Sequence, residues 1–153
     1  MTRPARLLGA LTLVLHPLIL FVGFEILGHS FDFPEILRES ASVRLARFEA
    51  NASVVVPTYW ALTFSGFTQI LCALFLARAL PRTPLATRSS VVLGTLAGAF
   101  QAVGFGRWVI AVPYLAEQAH TTDVALVEGT LNRFAGMLVG EHLANLAWGG
   151  WLL

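Results

Sequence analysis

Apolar residues fall into four long blocks along this chain, separated by short polar links. Crossing about 30 Å of hydrocarbon as a helix takes about 20 mostly apolar residues, and each block is long enough. The spacing predicts spans over about 7–28, 52–77, 89–114 and 130–153. The first is interrupted by His16-Pro17 and Glu25, the second carries no charged residue, and the third carries Arg107 alone. The fourth holds Arg133, Glu141 and His142. A cleaved leader is an alternative for the first block, given Arg3 and Arg6. However, the apolar run is too long, Pro17 sits in its middle and Glu25 falls where small residues would be needed, so a retained helix is expected. Between the first two spans, Asp32 and Glu35 have capping-box spacing with Pro34 in the first turn. Leu37, Ala41, Leu45 and Phe48 then form one helical stripe flanked by arginines and glutamates. Residues 33–49 therefore read as a short amphipathic helix, lying in the membrane interface or packing as a solvated helix on the bundle. Asn51-Ala52-Ser53 matches a glycosylation sequon and also suits the cap of the second span, with Pro57 in its opening turns. The fold class expected is all-α: a four-helix transmembrane bundle with an interfacial helix, forming a single integral-membrane domain over 1–153.

Lipid offers no hydrophobic drive for helices to meet, so small residues that permit close backbone approach carry the association. The third span has a ladder of Gly94, Gly98, Ala102 and Gly106, and the fourth has Gly136, Gly140 and Ala144. Two ladders of this kind predict that spans three and four pack directly as an antiparallel hairpin joined by 115–129. One ladder free to recruit a partner chain is the alternative.

Composition agrees with membrane residence. Hydrophobic residues make up 56% and charged residues 12%, about half the charge of an ordinary soluble domain. All ten basic residues are arginine, set against nine acids for a net charge of +1. No basic stripe exists for phosphate neutralisation, so a nucleic-acid partner is excluded, and the low charge excludes a disordered regulator. A single cysteine, Cys72, excludes an intrachain disulfide framework. Arg3, Arg6, Arg78, Arg82 and Arg88 flank the spans on one side, which the positive-inside rule makes cytoplasmic; both termini are then inside.

Ionisable groups inside hydrocarbon are the default place to look for function. His16, Gln101 and His142 sit near the centres of their spans, with Glu141 beside His142 and Thr63, Ser65, Thr68 and Gln69 at similar depth. Glu25 and Arg107 lie one or two turns inside the outer boundary, which predicts an outer ion pair, and His29 shares a helix face with Glu25. His16 and His142 could ligate haem b between the first and fourth helices, or each could simply bond a neighbouring carbonyl or side chain. No cofactor is otherwise expected. No metal-ligand spacing occurs, since Glu141 and His142 are adjacent and point to different faces. No nucleophile elbow occurs, and Cys72 lies where a thiolate is disfavoured; no catalytic residue is expected. Gln101, Glu141 and His142 could also line a proton or solute path, although no internal repeat of the kind many transporters carry is detectable.

Three stretches resemble a known family: Phe33-Pro34-Glu35-Ile36-Leu37-Arg38 through Leu45-Ala46-Arg47-Phe48; Leu96-Ala97-Gly98-Ala99-Phe100-Gln101-Ala102-Val103-Gly104 on to Arg107-Trp108-Val109-Ile110-Ala111-Val112-Pro113-Tyr114-Leu115-Ala116; and Gly140-Glu141-His142-Leu143. Together they are similar to bacterial multi-pass integral-membrane proteins grouped as a domain of unknown function. The resemblance implies that Gln101, Arg107, Glu141 and His142 matter for structure or activity. It also implies a longer chain, with further spans after Trp151-Leu152-Leu153. The expected role is a non-catalytic membrane component or accessory subunit, in contact with lipid and with other membrane subunits or copies of itself. A haem-bearing electron carrier and a small transporter are the alternatives.

Overall fold

A computed structural model describes residues 2–80, 83–118 and 123–152. Among them the chain is helical, with no strand. Helix α1 covers Arg3–Phe31, a single 3-10 turn covers Glu35–Arg38, α2 covers Ala41–Ala79 and α3 covers Pro84–Glu117. A fourth, continuous helix follows in three parts: α4, Val124–Leu131; a π-helical stretch, Asn132–Leu143; and α5, Ala144–Leu152. Helices α1, α2 and α3 are each long and apolar enough to cross a membrane. Leu7, Leu11, Phe21, Phe64, Ile110 and Leu146 are among the large apolar side chains left on the outside, as a lipid-facing surface requires. Arg82 of the orienting arginines, part of the 115–129 link and the last residue of the fourth span lie outside the described residues.

The helices are longer than the spans, most of all α2. At about 1.5 Å per residue, its 39 residues reach well beyond the hydrocarbon thickness. The separate interfacial helix over 33–49 is therefore corrected: residues 41–49 are the first turns of α2, coaxial with the span. Leu45 and Phe48 are buried against the bundle rather than laid into an interface. The expected capping box is also corrected. Asp32 takes a left-handed conformation (φ 51°), which Asp tolerates better than most residues, and it closes α1: the Asp32 and Phe33 amides both donate to the Leu27 carbonyl. The cap of α2 is Ser40, whose Oγ accepts from the Val43 amide. Asn51 sits inside the helix with its Nδ2 bonded to the Arg47 carbonyl, a local bond that leaves it no role as a cap.

The fourth-span ladder meets α3 as expected, whereas the third-span ladder has a further partner. A Cβ on Gly98 would collide with the Gly66 carbonyl and Ile70, both on α2, and one on Gly66 would meet Gly98 and Ala102. Gly94 faces Ala73 of α2 and Trp151 of α5. The third-span ladder therefore packs chiefly onto α2. The fourth helix does pack on α3, through Gly140 against Gly104, where an added Cβ on Gly140 would stand 2.6 Å from the Gly104 Cα. A Cβ added to Gly106 would come only to van der Waals range of Thr63, whereas Gly136 lies against the Arg107 guanidinium. Ala144 is buried.

An aromatic core closes the end of the bundle where α1 finishes and α2 begins. Trp108 is 1% exposed, stacks on Tyr59 (5.3 Å, 13°) and meets Phe31 edge-on at 4.9 Å. Buried alongside are Leu27, Ile36, Phe48, Val55 and Val112.

A candidate binding cavity beside a buried arginine

Two polar regions lie inside this frame. The first is a layer near mid-span that ties helices together. His16 on α1 donates from Nδ1 to the Ser65 carbonyl at 3.1 Å and lies 2.9 Å from Thr68 Oγ1. A carbonyl can only accept, so Nδ1 carries the proton and Nε2 is left an acceptor. From α3, Gln101 Nε2 donates to Ser65 Oγ, so Ser65 receives both. One turn further on, Trp148 of α5 donates to Gln69 Oε1 at 3.3 Å. Cys72 reaches the Thr12 carbonyl across α1 and α2. His16 and Gln101 are thus brought together on Ser65, whereas Glu141 and His142 are not part of this layer. His142 is exposed, and its Nδ1 donates to its own helix at the Met137 carbonyl.

The two histidines weighed as haem ligands are placed apart, His16 in the mid-span layer and His142 exposed on the fourth helix. The His16 ring is held by α2, and its Nε2 is buried without a hydrogen-bond partner. Neither histidine lines the cavity described next. Among the described residues, no group of three or more His, Cys, Asp or Glu is placed to hold a metal.

The second region is a cavity of about 140 Å³, walled by four segments. The strap of residues 33–38 supplies Phe33, Leu37 and Arg38, α2 supplies Tyr59, and α3 supplies Phe105, Arg107 and Trp108. The π-helical stretch supplies Gly136, Met137 and Glu141. A π-helical turn is rare and concentrates at functional sites; here it is the wall that carries Glu141 and the two glycines. The strap is held over the cavity by Phe33 stacked on Phe24 (5.1 Å, 3°) and by Asn132 Nδ2 donating to the Leu37 carbonyl at 3.0 Å.

Arg107 is the centre of this region. Its guanidinium donates to the Gly104 carbonyl and to Asn132 Oδ1 at 3.2 Å, and lies 5.1 Å from the Trp108 ring centroid. The expected Glu25–Arg107 ion pair is corrected: Glu25 is on an exposed face of α1, where it accepts from His29 Nε2 at 3.0 Å. The His29 part of that grouping is present, without Arg107. Depth alone had suggested the pair, but helix phase turns Glu25 away from α3.

Sequence reasoning missed a second buried charge. Arg44 on α2 makes a two-pronged contact with Glu128 on α4, Nε to Oε1 at 2.8 Å and Nη2 to Oε2, and also donates to the Glu39 carbonyl. Both side chains are buried. The two residues are 84 positions apart, so no spacing rule could have paired them. A charged residue on the apolar side of the 37–48 stripe was the available sign. Asn132 and Tyr59 were missed because each looks unremarkable in an apolar span; Tyr59 is 0% exposed and its hydroxyl has no partner.

Next to the cavity runs a groove of about 310 Å³ between α1 and the fourth helix, bordered by Leu20, Ala97, Gln101, Asn145 and Trp148. Phe33, Phe105, Gly140 and Glu141 are common walls of the two. Gln101 and Glu141 therefore share this groove, and His142 does not border it.

No curated protein and no solved structure matches the chain. A family model matches residues 7–153, nearly the whole length, and on that match the chain belongs to the family described as Domain of unknown function (DUF4386).

Proposed function

We propose that this chain is a non-catalytic membrane component, an accessory subunit that holds a ligand and a partner rather than transforming a substrate. The observation that carries the reading is the polar inventory of the cavity: Arg38, Arg107, Tyr59 and Glu141, with no Ser, Thr, Cys, Lys or His in its walls. These side chains bind and orient. Nucleophilic catalysis needs a nucleophile within reach of a base, and the Tyr59 hydroxyl is hydrogen-bonded to no base, Glu141 included. The mid-span hydroxyls, amides and His16 support the same reading, because they are engaged in joining α1, α2, α3 and α5 to one another.

The test is purification of the tagged chain from its own membranes in a mild detergent, with the mass of the particle read by native mass spectrometry. A stoichiometric assembly, with another membrane protein or with further copies, is expected. A stable monomer without a partner overturns the reading.

A further inference from the structure

Arg107 lies inside a span and is 8% exposed, yet among the described residues no carboxylate is within ion-pair distance of it. Its side-chain hydrogen bonds go to neutral groups, a backbone carbonyl and an amide oxygen. A buried cation in a low-dielectric setting is costly unless an anion accompanies it. The same cavity is lined by Tyr59, whose buried hydroxyl has no hydrogen-bond partner. At its rim stands Arg38, exposed and without an ion pair among the described residues. Two guanidinium groups and a phenol are donors whose natural complement is an oxyanion with several acceptor oxygens, and guanidinium matches phosphate in its fork geometry.

The size and surroundings indicate what carries that oxyanion. At about 140 Å³ the cavity is smaller than an ordinary ligand pocket of roughly 300–1,000 Å³. It continues, however, through the shared walls Phe33, Phe105 and Gly140 into the groove between α1 and the fourth helix, whose lining is mostly apolar (Leu20, Ala97, Trp148) with Gln101 and Asn145 among it. A charged head cavity opening into an apolar groove along a membrane helix has the shape of an amphiphile. We infer that the two together hold one phospholipid from the surrounding bilayer. Its phosphate lies on Arg107, Arg38 and the Tyr59 hydroxyl, an acyl chain occupies the groove, and the strap of residues 33–38 lies over the head. Glu141 is the opposing charge in this cavity. It stands at the junction with the groove, and the phosphate sits on the arginine side of it.

This inference deepens the holding role proposed above by naming the ligand class, and the two fail separately. An assembled complex whose lipid binding ignores Arg107 removes the inference alone; a partner-free monomer that binds phospholipid through Arg107 removes the accessory-subunit reading alone.

The full chain, purified in a non-ionic detergent and stripped of lipid, is titrated with phosphatidylglycerol, phosphatidylethanolamine and oleate, and adducts are counted by native mass spectrometry. One phospholipid per chain is expected with either phospholipid, and oleate is expected to bind distinctly more weakly. Arg107→Gln should weaken phospholipid binding about tenfold or more, as loss of a buried charge-assisted contact does. Arg38→Gln, at an exposed position whose loss leaves packing intact, should weaken it about threefold with an unchanged melting temperature. Glu141→Gln should leave phosphatidylglycerol binding unchanged or tighter, since it removes a negative charge from the cavity. Equal binding by the wild type and both arginine variants overturns the inference. So does oleate binding as tightly as phospholipid, or a Glu141→Gln loss that parallels Arg107→Gln.

Discussion

Arg44 and Arg107 are both buried, at 4% and 8% exposure, and both belong to helices that could cross a membrane. Arg44 meets a carboxylate head-on, and the pair with Glu128 joins the start of α2 to the start of the fourth helix. Arg107 meets an amide oxygen, a carbonyl and the Trp108 ring, beside a cavity with a free phenol. One buried charge is closed by the chain itself, the other is left open. The difference separates a clamp, whose energy goes into the fold, from a site, whose energy is available to a ligand. It also makes opposite predictions for the same kind of substitution.

The largest effect is expected at the clamp. Removing one member of a buried pair leaves an uncompensated charge and typically costs about 3–5 kcal/mol. Glu128→Gln should therefore lower unfolding stability in detergent by an amount of this order. Replacing both partners with apolar residues of similar volume, Arg44→Met with Glu128→Leu, should recover most of that loss. Arg107→Gln removes a charge that has no carboxylate partner among the described residues, and its cost without lipid should stay below about 2 kcal/mol, the scale of hydrogen bonds to a charged group. An Arg107→Gln loss as large as that of Glu128→Gln would erase the distinction.

The helix contacts behind these two sites come next. Gly98 faces the Gly66 carbonyl and Ile70 of α2, so Gly98→Leu forces α2 and α3 apart at a backbone contact. Overpacking of this kind costs about 1–3 kcal/mol, at times more. The folded monomer itself should be lost or destabilised in a gel-filtration and thermal-melt series. A variant that folds normally and only dissociates from an oligomer would show that this face belongs to another chain. Gly136→Ala should do less. Its new methyl group meets the Arg107 guanidinium, 2.6 Å from Nη2, and the far end of a side chain can yield. Stability should change by no more than about 1–2 kcal/mol, while phospholipid binding falls with the displaced guanidinium.

The sequence was most informative where a property is local. Hydrophobicity accumulates residue by residue, so the blocks at 7–28, 52–77 and 89–114 locate three long helices that then extend at both ends. The extension of α2 through Asn51 was not legible, because an Asn before an apolar run is equally suited to capping a helix and to bonding the carbonyl four residues back; the structure has the second. Small residues at four-residue spacing announced close approach without naming the partner. Gly94, Gly98 and Ala102 face mainly α2, because the Gly66 and Ala73 surfaces complement them there. At the site, Arg107 was visible as an intramembrane charge, and its depth pointed to Glu25. The choice between Glu25 and Asn132 depends on which side of α1 faces α3, and that follows from packing. The neutral amide of Asn132 and the phenol of Tyr59 carry no charge signal at all, so the cavity they border could be found by geometry alone.

The smallest effect sharpens the comparison from the solvent side. Glu25 with His29 and Asp32 with Arg47 are also oppositely charged pairs, but their side chains are about half exposed or more, from 47% to 82%. Water and salt screen such pairs, and each contributes about 0–1 kcal/mol. Glu25→Gln and Asp32→Asn should therefore leave the melting temperature in detergent almost unmoved, and what little they change should shrink as salt is raised. Asp32 adds a control within this pair, because its left-handed backbone (φ 51°) is one that Asn also adopts readily. Asp32→Asn thus removes the charge and keeps the turn. If that variant nevertheless destabilised the chain as much as Glu128→Gln, burial would not be what distinguishes Arg44 from the surface arginines. The contrast between a closed charge and an open one would then have to rest on something other than access to water.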